Sequence, residues 1–341
     1  MKRRLLVIRF GALGDLIHAS PSLEAVKLAY PDMEVHLLTS SGYTALAGLL
    51  PGVDQVWTWE KKQGWLALFK LAWRWRQIGI TDVVNLHPSF KSLLITGLLW
   101  PVNAAVYRKQ KLATKGAAQR IQARRHAAQD FFQPFQKVLG LSVPQSLLPV
   151  LKKTVLDSGD GPVKPEGERW VAIIPGVGAK RSNRAWLPAY YVALMQALLT
   201  EQPTLKLLLI GGPDESVLAE QLGAALGTGA DRVENHCGQH DISGTAALLA
   251  QCDLVVGGDT GPMHLAAAVG ISVLGIYGPT ALARTGPLAH GPAVLLTPPD
   301  ALACWPCELP ECPYTGEAHL ACMKQISVPT VTEAALALLP T

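Results

Sequence analysis

Short apolar runs alternate with stretches of helical spacing along most of this chain. RLLVIR (4–9), EVHLLTS (34–40), DQVWTW (54–59) and TDVVNLH (81–87) have the length and content of strands. Between and after them, 17–30, 43–50, 64–78 and 89–99 place apolar residues at helical intervals. Strands that alternate with helices predict a parallel sheet covered on both faces. A helix over 126–139 follows, then a segment rich in Pro, Gly and Asp (142–168) that reads as a linker. The pattern then restarts, with strands at 169–176, 205–212, 231–238, 253–258 and 272–278 and helices at 187–200, 215–226 and 243–251. The expectation is an α/β chain of two doubly wound domains, residues 1–160 and 168–325, with a closing segment 326–341 that packs back across them. Ligands of open α/β sheets bind beyond the carboxyl ends of the strands, which directs attention to the turns there.

One such turn dominates. Asp253–Thr280, DLVVGGDTGPMHLAAAVGISVLGIYGPT, holds two apolar runs around a polar turn and a helix of small residues. An apolar run that ends in a Gly-rich turn before a helix is a phosphate-binding layout, because the first N–H groups converge and the helix dipole favours an anion. Gly257, Gly258 and Gly261 permit close approach of a ligand. Asp259 and Thr260 can cap the helix or bind a ligand, and His264 falls in the first turn.

Composition narrows the class. With 341 residues, 49% hydrophobic and 16% charged, the chain is globular and not disordered. The apolar start of MKRRLLVIRF stops at Arg9, too short for a signal peptide. The run 92–106 comes nearest to a membrane span but contains Pro101, so a cytoplasmic protein is expected. Net charge is +4, but residues 1–165 carry 22 Lys/Arg against 10 Asp/Glu and residues 166–341 carry 8 against 16. The basic half calls for an anionic partner. Seven of its cations lie in Tyr107–His126 with no acid among them, and the Trp-rich segment 63–79 adds Lys70, Arg74 and Arg76. Such a segment either packs its Trp and Leu inward or lies against a membrane surface.

Taken in order, these motifs resemble glycosyltransferase family 9, the ADP-heptose:lipopolysaccharide heptosyltransferases. At the N-terminus, Arg9, Gly14, Asp15, His18 and Pro21 in IRFGALGDLIHASPSLEAVK match the family's pattern. IIPGVGAKRSNRAWLP (173–188), GGPDE (211–215) and the stretch 258–280 follow in place. The resemblance implies a GT-B fold, two Rossmann-like domains that face each other across a cleft. It also implies an inverting transfer of heptose from ADP-heptose to the Kdo/heptose–lipid A inner core of lipopolysaccharide. The alternative within the family is another nucleotide sugar and a different cell-surface glycan.

Roles follow from the same resemblance. Asp15 corresponds to the catalytic base that takes the acceptor hydroxyl's proton. Arg184, with Lys180 upstream, stands where the family holds the diphosphate, although Arg184-Ala185-Trp186-Leu187 replaces the usual Lys–basic–Trp–Pro. Thr260, Gly261, Pro262 and His264 would complete the donor site with Asp259, and Glu215 is a candidate for the ribose hydroxyls. Arg9, Gly11, His18, Arg120 and Arg124 would meet the anionic acceptor. An enzyme of this kind works at the cytoplasmic face of the inner membrane, without nucleic acid and without a catalytic cofactor.

Cys304, Cys307, Cys312 and Cys322 form C-x2-C-x4-C-x9-C. Metal-ligand spacing of this type suits a structural zinc in a reducing compartment. The last two gaps are not those of a familiar zinc knuckle, and the balance favours no bound metal. A Rossmann dehydrogenase is excluded because GALGDL lacks G-x-G-x-x-G. A protein that only binds glycolipid or nucleic acid would have no use for the base Asp15.

Overall fold

Each anticipated apolar run becomes a parallel strand. The computed structural model describes residues 2–108, 125–152, 163–300 and 302–340. These form two compact units, the residues up to 108 with 125–152, and those from 163 onward. In the first, β1 (Arg4–Ile8), β2 (Glu34–Thr39), β3 (Gln55–Thr58), β4 (Asp82–Asn85) and β5 (Asn103–Val106) lie in the order β3-β2-β1-β4-β5. In the second, β6 (Arg169–Ile174), β7 (Leu205–Leu209), β8 (Val233–Asn235), β9 (Leu254–Gly258), β10 (Ser272–Ile276) and β11 (Ala293–Leu296) take the order β11-β10-β9-β6-β7-β8. All pairings are parallel.

The unbroken apolar character of the strands follows from burial on both faces. Leu5, Leu6, Val7 and Ile8 are buried, as are Val171–Ile174 and Leu254–Val256. Both sheets reverse their winding at the central pair, β1 with β4 and β6 with β9, where Ile8 is in register with Asn85 and Ile174 with Gly257. A reversal of this kind opens a crevice at the carboxyl ends of the two strands. Both units therefore offer one place for chemistry, and both of the key turns begin there.

Several boundaries differ from the sequence reading. Helix α1 runs from Leu13 to Ala29 and so begins four residues before the anticipated 17–30, which puts Asp15 inside its first turn. The run 92–106 divides: helix α4 (Phe90–Leu98) ends it on one side, and edge strand β5 begins beyond Pro101 on the other. Strands β5 and β11 escaped notice because edge strands need only one apolar face and few residues. Among the described residues no helix is long and apolar enough to cross a membrane. The closing helix spans Val328–Leu338 and is capped by Ser327 Oγ, which accepts from Thr330 N. Val331, Ala335 and Leu339 are buried in the core of the second unit with Leu194 and Leu198 of the helix Pro188–Glu201.

Candidate active site

The second unit gathers a charged cluster beyond β9. Asp259 follows the strand directly, and its carboxylate is almost fully buried, with 5% of the side chain exposed. Three partners surround it: Arg184 Nη1 at 2.5 Å from Oδ2, Thr280 Oγ1 donating to Oδ2 at 2.8 Å, and His264 Nε2 at 3.7 Å from Oδ1. Burial alone would raise the pKa of Asp259, but its interactions with His264 and Arg184 outweigh burial and hold it below the ordinary carboxylate value. For Arg184 burial is the larger effect and lowers the guanidinium's pKa, with Asp259 opposing. Tyr277, fully buried beside them, is kept protonated first by burial and then by the Asp259 charge.

The backbone around this cluster explains the glycines. A Cβ at Gly257 would lie 2.8 Å from Ile174 Cβ, and one at Gly258 would lie 3.0 Å from the Arg184 carbonyl oxygen. Thr260 takes the N-cap position of the helix Gly261–Val269, with extended backbone and no side-chain cap bond. Its Oγ1 is buried and makes no hydrogen bond in the structure. Pro262 in the first turn has no N–H to satisfy, while the first N–H groups of any helix lack intrahelical acceptors. A helix start of this kind presents backbone donors that suit an anion.

Glu215 joins two loops of the second unit. Its Oε1 accepts from Gly178 N at 3.2 Å and its Oε2 from Gly212 N at 2.7 Å, so it ties the loop after β6 to the loop after β7. A Cβ at Gly176 would come within 2.0 Å of Glu215 Cγ, so glycine is needed there. The Lys180 side chain lies outside the described residues.

In the first unit the turn after β1 carries a second cluster. Arg9 is buried and pairs through Nη2 with Asp15 Oδ2, while its Nη1 donates to the Leu86 carbonyl oxygen at 2.6 Å. The Arg9 guanidinium also stacks 5.0 Å from the Phe131 ring centre. Asp15 Oδ2 accepts in addition from Ala12 N at 3.3 Å. Asp15 keeps 32% of its side chain exposed, so it remains open to a ligand. Gly11 has φ +140° and a Cβ there would lie 2.6 Å from the Tyr43 ring, which explains both its freedom and the absence of a side chain. His87, after β4, is held to lower pKa by burial and then by the Arg9 charge, and its ring meets Phe10 at 5.3 Å.

Asp15 and Arg9 are thus brought together, as are Arg184, Asp259, Thr260 and His264. His18 is turned into the protein, 2% exposed, with its ring 4.9 Å from that of His126. Arg120 and Arg124 lie outside the described residues. The sequence reading did not single out Tyr43, His87, Asn183 or Thr280. All but Asn183 follow the carboxyl end of a strand, the signal that would have pointed to them.

The four clustered cysteines line one cavity of about 20 Å³ with Asn183 and Pro279. Burial pushes the Cys322 thiol up to about 11, and the three other thiols add to the shift. Cys312 Sγ accepts from Leu320 N. Among the described residues no group of three or more His, Cys, Asp or Glu is arranged to hold a metal ion, so structural zinc gains no support. The segment grips the loops beside the Asp259 cluster. Trp305 Nε1 donates to the Gly278 carbonyl oxygen at 2.6 Å, Glu308 N to that of Pro279 at 3.0 Å, and Asn183 Nδ2 to that of Leu309 at 2.9 Å.

Residues 69–313 match the model of glycosyltransferase family 9 (heptosyltransferase). The chain is 26% identical to lipooligosaccharide heptosyltransferase 2 of Campylobacter jejuni, over 96% of its own length and 95% of that protein. It is 25% identical to lipopolysaccharide heptosyltransferase 1 of Pseudomonas aeruginosa, over 91% and 88%. Among solved structures, the ADP-heptose lipopolysaccharide heptosyltransferase II of Escherichia coli matches with a TM-score of 0.75 at 20% identity, over 98% of both chains. The E. coli heptosyltransferase WaaC with ADP matches with a TM-score of 0.69 at 18% identity, over 98% and 99%. The two parallel-sheet units are those of the GT-B fold.

Proposed function

The chain belongs to glycosyltransferase family 9, and from that premise we propose that it transfers heptose from ADP-heptose to the Kdo/heptose–lipid A inner core of lipopolysaccharide. The observation that carries the donor half is the buried Asp259 with Arg184, Thr280 and His264 around it at the switch point of β6 and β9. Asp259 acts as the hub that orients Arg184 and His264 toward the diphosphate rather than as a ligand to it. Arg184 and the Gly261 turn take the phosphoryl oxygens, and the Thr260 hydroxyl, buried without a hydrogen bond, gains one from the donor.

The reaction inverts the anomeric carbon. The acceptor hydroxyl attacks from the face opposite the diphosphate, its C–O bond forms as the bond to the phosphate oxygen breaks, and its proton passes to Asp15. ADP leaves with the bonding pair, and Arg184 and the helix end stabilise the charge it gains. Arg9 and the Ala12 N–H hold the Asp15 carboxylate in place for this step. The acceptor is an anionic glycolipid, in keeping with the basic first half, and the enzyme works at the cytoplasmic face of the inner membrane.

The test is acceptor-dependent release of ADP from ADP-heptose with Kdo2–lipid A, run beside Asp15→Ala. Removal of a general base should slow turnover by roughly 10²–10⁴-fold and leave ADP binding intact. Release with another sugar nucleotide but none with ADP-heptose would overturn the assignment of the donor. Loss of ADP binding in Asp15→Ala would remove Asp15 as the base.

A further inference from the structure

Apart from Leu28 and Val143, the large exposed apolar side chains of the first unit lie on or beside two helices. Helix α3 (Gly64–Ile78) buries Leu68, Ala72 and Trp75 and leaves Trp65, Leu66, Phe69 and Trp73 in solvent, at 45%, 77%, 46% and 65% exposure. Helix α4 does the same with Phe90, Leu93 and, just past its end, Trp100. The two outer faces are continuous: the Trp65 and Phe90 rings meet edge to face at 6.1 Å, and Arg76 donates to the Leu98 and Trp100 carbonyl oxygens. An exposed apolar surface of this extent marks an interaction site.

Charge identifies the occupant. Lys61, Lys62, Lys70, Arg74 and Arg76 are exposed on or beside α3, and Lys91 lies over the Trp59 and Trp65 rings at 4.6 and 5.5 Å. From Lys61 to Gln129 the sequence has one acidic residue, Asp82, and that side chain is buried. Aromatic rings among lysines and arginines, with no exposed acid, suit the interface of an anionic bilayer, where rings sit at headgroup depth and cations meet lipid phosphates. A second copy of this chain would bring the same cations against themselves.

The position of this face adds a consequence. Phe90 and Lys91 begin α4 three and four residues after His87, whose ring touches Phe10 beside Arg9. Phe10 also packs against Trp59, 5.7 Å away, beneath Lys91. We propose that the outer faces of α3 and α4 form a membrane-docking surface for anionic lipid, which sets the Arg9–Asp15 end of the first unit beside the bilayer. The inference extends the glycolipid reading, but its test needs no sugar transfer.

The full chain is sedimented with vesicles of phosphatidylethanolamine and phosphatidylglycerol, and with phosphatidylcholine alone. Wild type should bind the anionic vesicles at least ~10-fold better, and added salt should weaken binding. Leu66→Ser/Phe69→Ser/Trp73→Ser should lose binding, and Lys70→Glu/Arg74→Glu should lose the anionic preference. All these side chains are exposed, and an unchanged circular dichroism spectrum and Tm establish that the variants fold. Equal binding by the apolar triple variant would overturn the proposal. So would a wild-type dimer in sedimentation velocity that the triple variant dissolves, because the face would then join two copies. Turnover of a lipid-free acceptor oligosaccharide separates the two readings: its absence in wild type bears on the reaction, while vesicle binding bears on this surface.

Discussion

Asp259 and Arg184 tie the stability of the second unit to its proposed grip on the donor diphosphate. Two opposite charges lie 2.5 Å apart with little exposure to solvent. Loss of one partner leaves the other buried and unpaired, which costs ~3–5 kcal/mol. Arg184→Ala should therefore lower Tm as well as ADP affinity. Arg184→Ala/Asp259→Asn should regain most of the stability and none of the affinity, since the cation is gone in both. Calorimetric unfolding beside ADP titration distinguishes these outcomes, and recovered affinity in the double variant would show that Arg184 does not hold the diphosphate. Asp259, Thr260 and His264 were legible in the sequence because one strand–turn–helix carries all three. Thr280, Tyr43 and His87 were not, because each follows a different strand and only the strand order within its own sheet brings it to its cluster. Glu215 was legible as a carboxylate at a helix start, but its bonds to backbone N–H groups of two separate loops were not.

Elements were read best where burial on both faces made them uniformly apolar. The central strands of both sheets fall within the anticipated runs, whereas β5 and β11 at the edges are short and only partly buried. Helix α3 matched its anticipated span, but the sequence left open which of its Trp residues pack inward. The structure divides them: Trp75 is buried and Trp65 and Trp73 are exposed. The Cys-rich segment is the element whose role the sequence obscured, since its spacing drew attention to metal rather than to Trp305. The Trp305 indole and Glu308 N–H hold Gly278 and Pro279, the residues just before Thr280. Trp305→Phe keeps a ring and removes one hydrogen bond, worth ~1 kcal/mol. If that bond sets the position of Thr280 against Asp259, ADP affinity should fall about fivefold with kcat at saturating donor little changed. An unaltered Kd would mean that the loop holds its shape without the indole.

At the scale of the whole molecule, the two halves differ in charge, and the first also carries a titratable group in its sheet. His36 lies at the middle of β2, in register with Leu6, and is 2% exposed. Its Nδ1 accepts from Trp57 Nε1 at 2.9 Å, so the neutral ring fits the site as built. Burial lowers its pKa, Glu34 opposes that shift and Arg4 adds to it, and the net effect is downward. A base whose pKa is lower in the folded state takes its proton more readily when unfolded. Stability is therefore complete above the unfolded value of about 6.5 and is lost as pH falls below it, until the folded ring itself titrates. His36→Gln keeps an acceptor for Trp57 and removes the titration. Denaturant unfolding of the first unit, followed through its Trp fluorescence, should show stability falling from pH 7 to pH 5 in wild type and a shallower fall in the variant. The wild-type slope also contains the contribution of His87, whose pKa burial lowers too, so the variant should flatten the curve only in part. Parallel curves for the two proteins would mean that the buried imidazole is not what acid acts on, and His87 would be the next position to replace.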